Sequence, residues 1–161
     1  KAKGDGMKIL VFSDSHGIRR HMEEAVRLHQ PDRIFHLGDV VSDAKALKET
    51  YPHISMDLVR GNCDGHLPEP EELLLEVEGR KILLCHGHTY HVKWDWAEAA
   101  MAARAMGAHI LLFGHTHEPM CTFERGLWIM NPGSIRGGWN AGYGVIVLEE
   151  GNTVCYTVPV R

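Results

Sequence analysis

Five short polar clusters recur along the chain: Asp14-Ser15-His16, Gly38-Asp39, Gly61-Asn62-Cys63-Asp64, His86-Gly87-His88 and Gly114-His115-Thr116-His117. Each has a glycine beside or within it, which lets the backbone turn sharply and side chains crowd together. Asp14, His16, Asp39, Asn62, His86, His115 and His117 offer carboxylate, amide oxygen and imidazole, a donor set suited to divalent ions without any thiolate. Such a set serves two ions if one carboxylate bridges them. Two ions about 3.5–4 Å apart clamp a hydroxide and stabilise both oxygens of an in-line displacement, which is the chemistry of phosphoester hydrolysis. A bound ion also draws the pKa of water from about 15.7 towards about 7, so no protein nucleophile is required.

The elements between the clusters say how they meet. Residues 8–12 read as a strand, 18–30 as a helix, 33–37 as a second strand, 42–50 as a helix N-capped by Ser42, and 55–59 as a third strand. These βα repeats imply a parallel sheet. Residues 72–77 and 81–85 then read as an antiparallel hairpin, 94–106 as an Ala-rich helix stopped by Gly107, and 109–113 as a strand. Strands at 120–123, 127–130, 143–148 and 153–158 complete a predicted β meander. The pattern fits an α/β fold in which two mixed sheets pack face to face with helices outside, a four-layer α-β-β-α sandwich. The polar clusters follow strands, and the carboxyl ends of parallel strands open into a shared crevice, so clusters distant in sequence converge there.

Composition sets the frame around that site. The chain has 161 residues, 44% hydrophobic and 24% charged, with 17 Lys+Arg, 21 Asp+Glu and 12 His. This describes a single globular domain over residues 7–161, large enough to hold a core without disulfides. Residues 1–6 read as a tag remnant or disordered leader. The net charge of −4 gives no general attraction to nucleic acid. No apolar run reaches the roughly 20 residues of a membrane span. Cys63, Cys85, Cys121 and Cys155 form no CxxC pair, so reduced thiols and a cytoplasmic location are expected.

The ordered motifs D-x-H, G-D, G-N-x-D, H-G-H and G-H-T-H resemble the calcineurin-like metallophosphoesterase superfamily, and in particular its small single-domain, YfcE-like phosphodiesterase branch. The resemblance runs from Met7 to the C terminus and includes Asn131-Pro132-Gly133-Ser134, a sequence shared by that branch and the related retromer subunit Vps29. It implies the metallophosphoesterase fold and one ion held by Asp14, His16, Asp39 and His117. A second ion would be held by Asp39, Asn62, His86 and His115, with Asp39 as bridge. Mn²⁺ is the leading ion, with Ni²⁺, Fe and Zn²⁺ as alternatives. Asn62 would give its carbonyl oxygen to an ion and its amide to substrate phosphate. The implied substrate is a phosphodiester, with nucleotide-derived compounds as candidates. A phosphomonoesterase and a Vps29-like protein-binding scaffold are the alternatives.

The chain departs from many superfamily phosphatases at Cys63, where they carry a histidine that binds phosphate or protonates the leaving group. Asp64, His66 and His88 are candidate substitutes, with Asp64 assigned to catalysis beside Asn62. The loss of that histidine favours diesters with good leaving groups. Arg136 is a candidate for substrate phosphate from a flexible loop. Trp94 and Trp96 are expected to pack in the core, Cys85, Cys121 and Cys155 to be buried hydrophobes, and residues 69–72 to form a solvated turn. His21, His29, His36, His53, His91 and His109 are left outside the site. A homo-oligomer, dimer or tetramer, is a candidate assembly, with the C-terminal strands as its face.

Overall fold

The computed structural model describes residues 6–160; most of the expected leader, residues 1–5, and Arg161 lie outside the described residues. Strands β1 (Met7–Phe12), β2 (Arg33–His36) and β3 (Ser55–Leu58) run parallel, with helices α1 (Arg20–His29) and α2 (Val41–Thr50) as their crossovers. Strand β9 (Gly142–Glu149) adds antiparallel to β1 and β10 (Asn152–Pro159) to β9, giving the sheet order β10-β9-β1-β2-β3. The second sheet, β4-β5-β6-β8-β7, combines the hairpins β4 (Glu72–Val77)–β5 (Arg80–Cys85) and β7 (Met120–Glu124)–β8 (Leu127–Asn131) around β6 (Ile110–Leu112). Within it β5, β6 and β8 are parallel.

Alternation along the strands builds the layers. In β1, Ile9 and Val11 face the second sheet and pack with Ile82, Leu84, Ile110 and Leu112, all fully buried. Leu10 and Phe12 point the other way, onto Met22, Ala25 and Val26 of α1. On the far side, Leu83, Leu111 and Ile129 pack under Ala99, Ala100 and Ala103 of α3 (Ala97–Ala105), whose small side chains let the helix lie close. The result is the expected α-β-β-α sandwich of two mixed sheets.

Three expectations of detail are corrected. The C-terminal strands are not one meander: β7–β8 belong to the second sheet and β9–β10 to the first, because each hairpin buries its apolar face against a different partner. Helix α2 starts at Val41 rather than being capped by Ser42, because the Val41 N–H is taken by the distant Asp64 carboxylate at 2.9 Å. Helix α3 starts at Ala97, where Asp95 accepts the Ala97 N–H at 2.9 Å, so Trp94 and Trp96 precede it. Among the described residues no helix is long and apolar enough to cross a membrane.

Candidate metal centre

All six parallel strands of the two sheets finish at one edge of the sandwich, and the polar clusters continue from them. Backbone bonds stitch the loops together: Asp14 N–H to Gly38 O (2.9 Å), Ser15 N–H to Asp39 O (2.7 Å), and Gly114 N–H to His86 O (2.8 Å). Asp14 lies at the middle. Its Oδ1 is 3.0 Å from His117 Nε2, 3.7 Å from His16 Nε2 and 3.9 Å from His86 Nε2. His86 Nε2 is also 3.5 Å from Asp39 Oδ2 and 3.2 Å from His115 Nδ1. Two groups thereby gather ligand atoms closely enough for an ion: Asp14, His16 and His117, and Asp14, Asp39 and His86. Asp14 joins both, whereas the resemblance gives the shared role to Asp39. Asn62 begins a 3₁₀ turn (Asn62–Asp64), solvent-exposed, next to the Cys63 N–H that donates to Asp39 Oδ1 at 2.9 Å.

The donor orientations fit divalent ions. His86 is fully buried and its Nδ1 lies 2.8 Å from Leu37 O, so Nδ1 carries the proton and donates to that carbonyl. In the neutral ring this leaves the Nε2 lone pair facing the carboxylates of Asp14 and Asp39, an acceptor set against acceptors that a cation would resolve. His16 Nε2 is a buried nitrogen without a hydrogen-bond partner. Asp14 (φ 55°), His16 (44°), Asp39 (45°), His115 (70°) and His117 (63°) all sit in the left-handed region. For residues with a Cβ each costs on the order of 1 kcal/mol or more, and such strain gathers at functional sites. Gly61 and Gly114 explain the motif glycines, since a Cβ on the first would strike Asp39 Oδ1 and on the second Ser13 Oγ.

Around the ligands sits a layer of supporting residues, of which Ser13, His36 and Asp43 come into view only in the structure. Ser13 Oγ donates to Asp14 Oδ2 (2.5 Å), which also accepts the His115 N–H (3.1 Å). His36, fully buried, accepts the Gly38 N–H at Nδ1 (3.1 Å), so its Nε2–H donates to Ser15 Oγ (3.1 Å), which donates to Asp43 Oδ2 (2.7 Å). Asp43 Oδ2 also accepts the Gly17 N–H (2.7 Å), which fixes the loop carrying Asp14 and His16. Asn131 donates to Gly114 O and Thr116 Oγ1, and Ser134 donates to Asp14 O. The sequence signal for Asp43 was a carboxylate on the face of α2 shared with buried Ala44 and Leu47, since charges are seldom buried unpaired.

Asp64, expected to act in catalysis beside Asn62, is bound by backbone donors on both oxygens. Its Oδ2 accepts the N–H groups of Asp39 (2.9 Å) and Gly61 (2.7 Å), and its Oδ1 that of Val41. A buried carboxylate saturated with backbone donors ties its loop to a helix N-terminus, and this geometry supports a positioning role for Asp64.

Charge in the site is correspondingly shaped. Burial alone would raise the Asp14 carboxyl, but the His117 hydrogen bond, the His86 charge and the Ser13 hydrogen bond bring it down to about 2. His117 is raised by that same Asp14 bond. Burial, then His86 and Lys93, push His115 down to about 4. The Asp39 carboxylate, aided by burial, holds the Cys63 thiol up at about 11, protonated and without nucleophilic character.

Residues at the rim divide. His66 is exposed, and His88 lies against His86 and His115 with its Nε2 3.3 Å from Glu71. Arg136 is exposed and its charge reaches His117. The stretch 69–72 is not merely a solvated turn: Glu69 pairs with Lys45 (3.1 Å), Glu71 with Arg60 (3.2 Å), and Glu72 accepts from Tyr90 (2.6 Å). Trp96 packs beneath α3 as expected, but Trp94 is 88% exposed because it falls in the turn before the helix.

Comparison with known proteins agrees with this geometry. The calcineurin-like phosphoesterase superfamily domain matches residues 7–153. "Probable metallophosphoesterase YsnB" of Bacillus subtilis is 35% identical over 133 residues, 81% of this chain and 76% of its own. Vps29 of Cryptosporidium parvum superposes with a TM-score of 0.82 at 21% identity, covering 97% of this chain and 92% of that one. An archaeal phosphodiesterase superposes with a TM-score of 0.71 at 19% identity, covering 94% and 100%; both likenesses speak to the fold. With the Asp/His constellation at the shared strand edge, these matches identify the chain as a member of the calcineurin-like phosphoesterase superfamily.

Proposed function

We infer that this metallophosphoesterase hydrolyses phosphodiesters with two divalent ions, Mn²⁺ first and Ni²⁺, Fe or Zn²⁺ as alternatives. The observation that carries the reading is the packing of four histidine rings around two carboxylates, with the His86 Nε2 turned towards Asp14 and Asp39 and the buried His16 Nε2 without a hydrogen-bond partner. Asp14, His16, Asp39 and His117 would hold one ion, and Asp39, Asn62, His86 and His115 the other. Bound there, the ions would lower the pKa of water and draw charge from the phosphoryl oxygens.

The chain's own part is orientation. Ser13 and the His115 N–H fix the Asp14 carboxylate, Leu37 O fixes the His86 ring, and the Cys63 N–H fixes Asp39. The exposed Asn62 amide, 3.7 Å from Cys63 Sγ, would turn a second N–H to a substrate phosphate oxygen. Cys63, held up at about 11, is a weak acid for the leaving group, and both Asp64 oxygens are occupied by backbone N–H groups. That supports diesters whose alcohols leave with little proton donation over monoesters. The activity in the archaeal neighbour's name points the same way, whereas the Vps29 likeness extends the scaffold alternative by fold alone.

The test is hydrolysis of bis(p-nitrophenyl) phosphate against p-nitrophenyl phosphate by chelator-stripped protein reloaded with Mn²⁺, Ni²⁺, Zn²⁺ or Mg²⁺. Metal-restored turnover favouring the diester is expected. A preference for the monoester would assign a phosphomonoesterase, and inertness of the loaded protein towards both would favour the scaffold.

A further inference from the structure

Arg136 stands beside the metal centre on backbone that is pinned to it. The Ile135 N–H donates to Ser13 O at 3.0 Å, Ser134 Oγ to Asp14 O at 2.8 Å, and the Arg136 N–H to Ser134 Oγ at 3.4 Å. The Gly142 N–H returns to Ser134 O at 3.1 Å and closes the loop at its base. Past Arg136 the chain turns through Gly137 (φ 103°) and Gly138 (φ 92°), left-handed conformations that glycine takes without strain. At Gly137 it runs so close over α1 that a Cβ would come 2.9 Å from His21 Nε2. Arg136 is therefore the last side chain before the turn, rooted on the loop that carries Asp14 and His16.

The side chain is exposed, and its guanidinium has no ion pair or hydrogen bond among the described residues. Arg33, Arg60 and Arg104, by contrast, are paired with Asp57, Glu71 and Glu124. A carboxylate is close by, yet Asp14 is fully buried and its oxygens already meet His117, Ser13 and the His115 N–H. The guanidinium charge does reach the centre: His117, raised chiefly by its Asp14 hydrogen bond, is lowered in part by Arg136. A planar fork of N–H donors without a protein partner, rooted beside a candidate metal ligand, matches the oxygens of a phosphate. We propose that Arg136 binds a non-bridging oxygen of the scissile phosphate, working from the Asp14 loop as Asn62 would from the loop beside Asp39. It thereby takes up the phosphate binding that many superfamily phosphatases give to a histidine at the Cys63 position. The assignment rests on the phosphodiesterase reading.

The test compares Mn²⁺-loaded wild type and Arg136→Ala with Arg125→Ala, which removes the same charge from the exposed turn between β7 and β8. Arg136→Ala should lower kcat/KM for bis(p-nitrophenyl) phosphate about 10-fold and raise the inhibition constant of orthophosphate by a similar factor, the scale of one charge-assisted hydrogen bond. Bound metal and the urea midpoint should not change. Arg125→Ala should move each constant less than about twofold, because solvent and salt screen a charge that far from the site. Unchanged constants in Arg136→Ala, a loss matched by Arg125→Ala, or a loss accompanied by release of metal would each overturn the assignment while leaving the phosphodiesterase reading intact. If wild type hydrolyses no diester, that reading fails, and calorimetric titration of the Mn²⁺-loaded proteins with orthophosphate decides Arg136 separately. A Kd about 10-fold weaker in Arg136→Ala would sustain the phosphate contact, and an unchanged Kd, or no binding by wild type, would overturn it.

Discussion

Replacing Asp64 by asparagine separates positioning from proton donation. In the native loop one carboxylate accepts three backbone N–H groups, two at Oδ2 and one at Oδ1. An amide keeps a single acceptor oxygen. If that oxygen takes the Asp39 and Gly61 donors, the NH₂ group faces the Val41 N–H, so one bond becomes a donor against a donor. The two bonds that survive lose their charge assistance, roughly half their strength. One lost charge-assisted bond of about 2 kcal/mol, about 1 kcal/mol for its unsatisfied partner and about 1 kcal/mol for each of two weakened bonds together come to about 5 kcal/mol. Urea unfolding should show that loss of stability. Because the loop also aims Asp39 and Asn62, turnover should fall by a similar factor for bis(p-nitrophenyl) phosphate and for a diester with an unactivated alcohol. An acid catalyst would behave otherwise. If Asp64→Asn keeps wild-type stability and loses only the substrate with the poor leaving group, the positioning argument is refuted.

Four further outcomes are expected. Asp39→Asn should abolish metal-dependent turnover and lower bound metal by one ion per chain, read by mass spectrometry of the dialysed protein. His36 is buried with its pKa lowered by burial to about 4, so the folded chain leaves it neutral while the unfolded chain protonates it below about 6.5. Its contribution is whole above that pH and drains away as pH falls towards 4, about 3 kcal/mol in all; urea midpoints at pH 7 and 5 should show a steeper fall for wild type than for His36→Gln. Cys63→His restores an imidazole beside Asn62 and should raise hydrolysis of p-nitrophenyl phosphate or cyclic nucleotides relative to the diester; an unchanged ratio would contradict the role given to Cys63. Gly114→Ala drives a methyl group into Ser13 and should weaken metal binding without a change in the far-UV spectrum.

The layered fold was legible because alternation and turn residues act locally: Ile9 and Val11 against Leu10 and Phe12 already state two buried faces of β1. The candidate ligands were legible for a related reason, since strand ends are set by the same pattern and the clusters follow them. What escaped depends on contacts between distant segments. Nothing local says that Asp64 reaches across to the N-terminus of α2, or that His36 and Asp43 meet through Ser15. Trp94 reads as buried because hydrophobicity favours burial, whereas the helix starts only at Ala97, whose N–H goes to Asp95. Likewise β7–β8 and β9–β10 look like one meander in sequence, and only tertiary packing assigns them to different sheets.

The central claim is that the constellation around Asp14 holds two ions that hydrolysis needs. It is tested most directly by titrating the stripped protein with Mn²⁺ while following bound metal and bis(p-nitrophenyl) phosphate turnover in the same samples. Two ions per chain, with turnover appearing as the second binds, is the expected result. Binding that saturates at one ion or none, or turnover that persists after chelation, would contradict it.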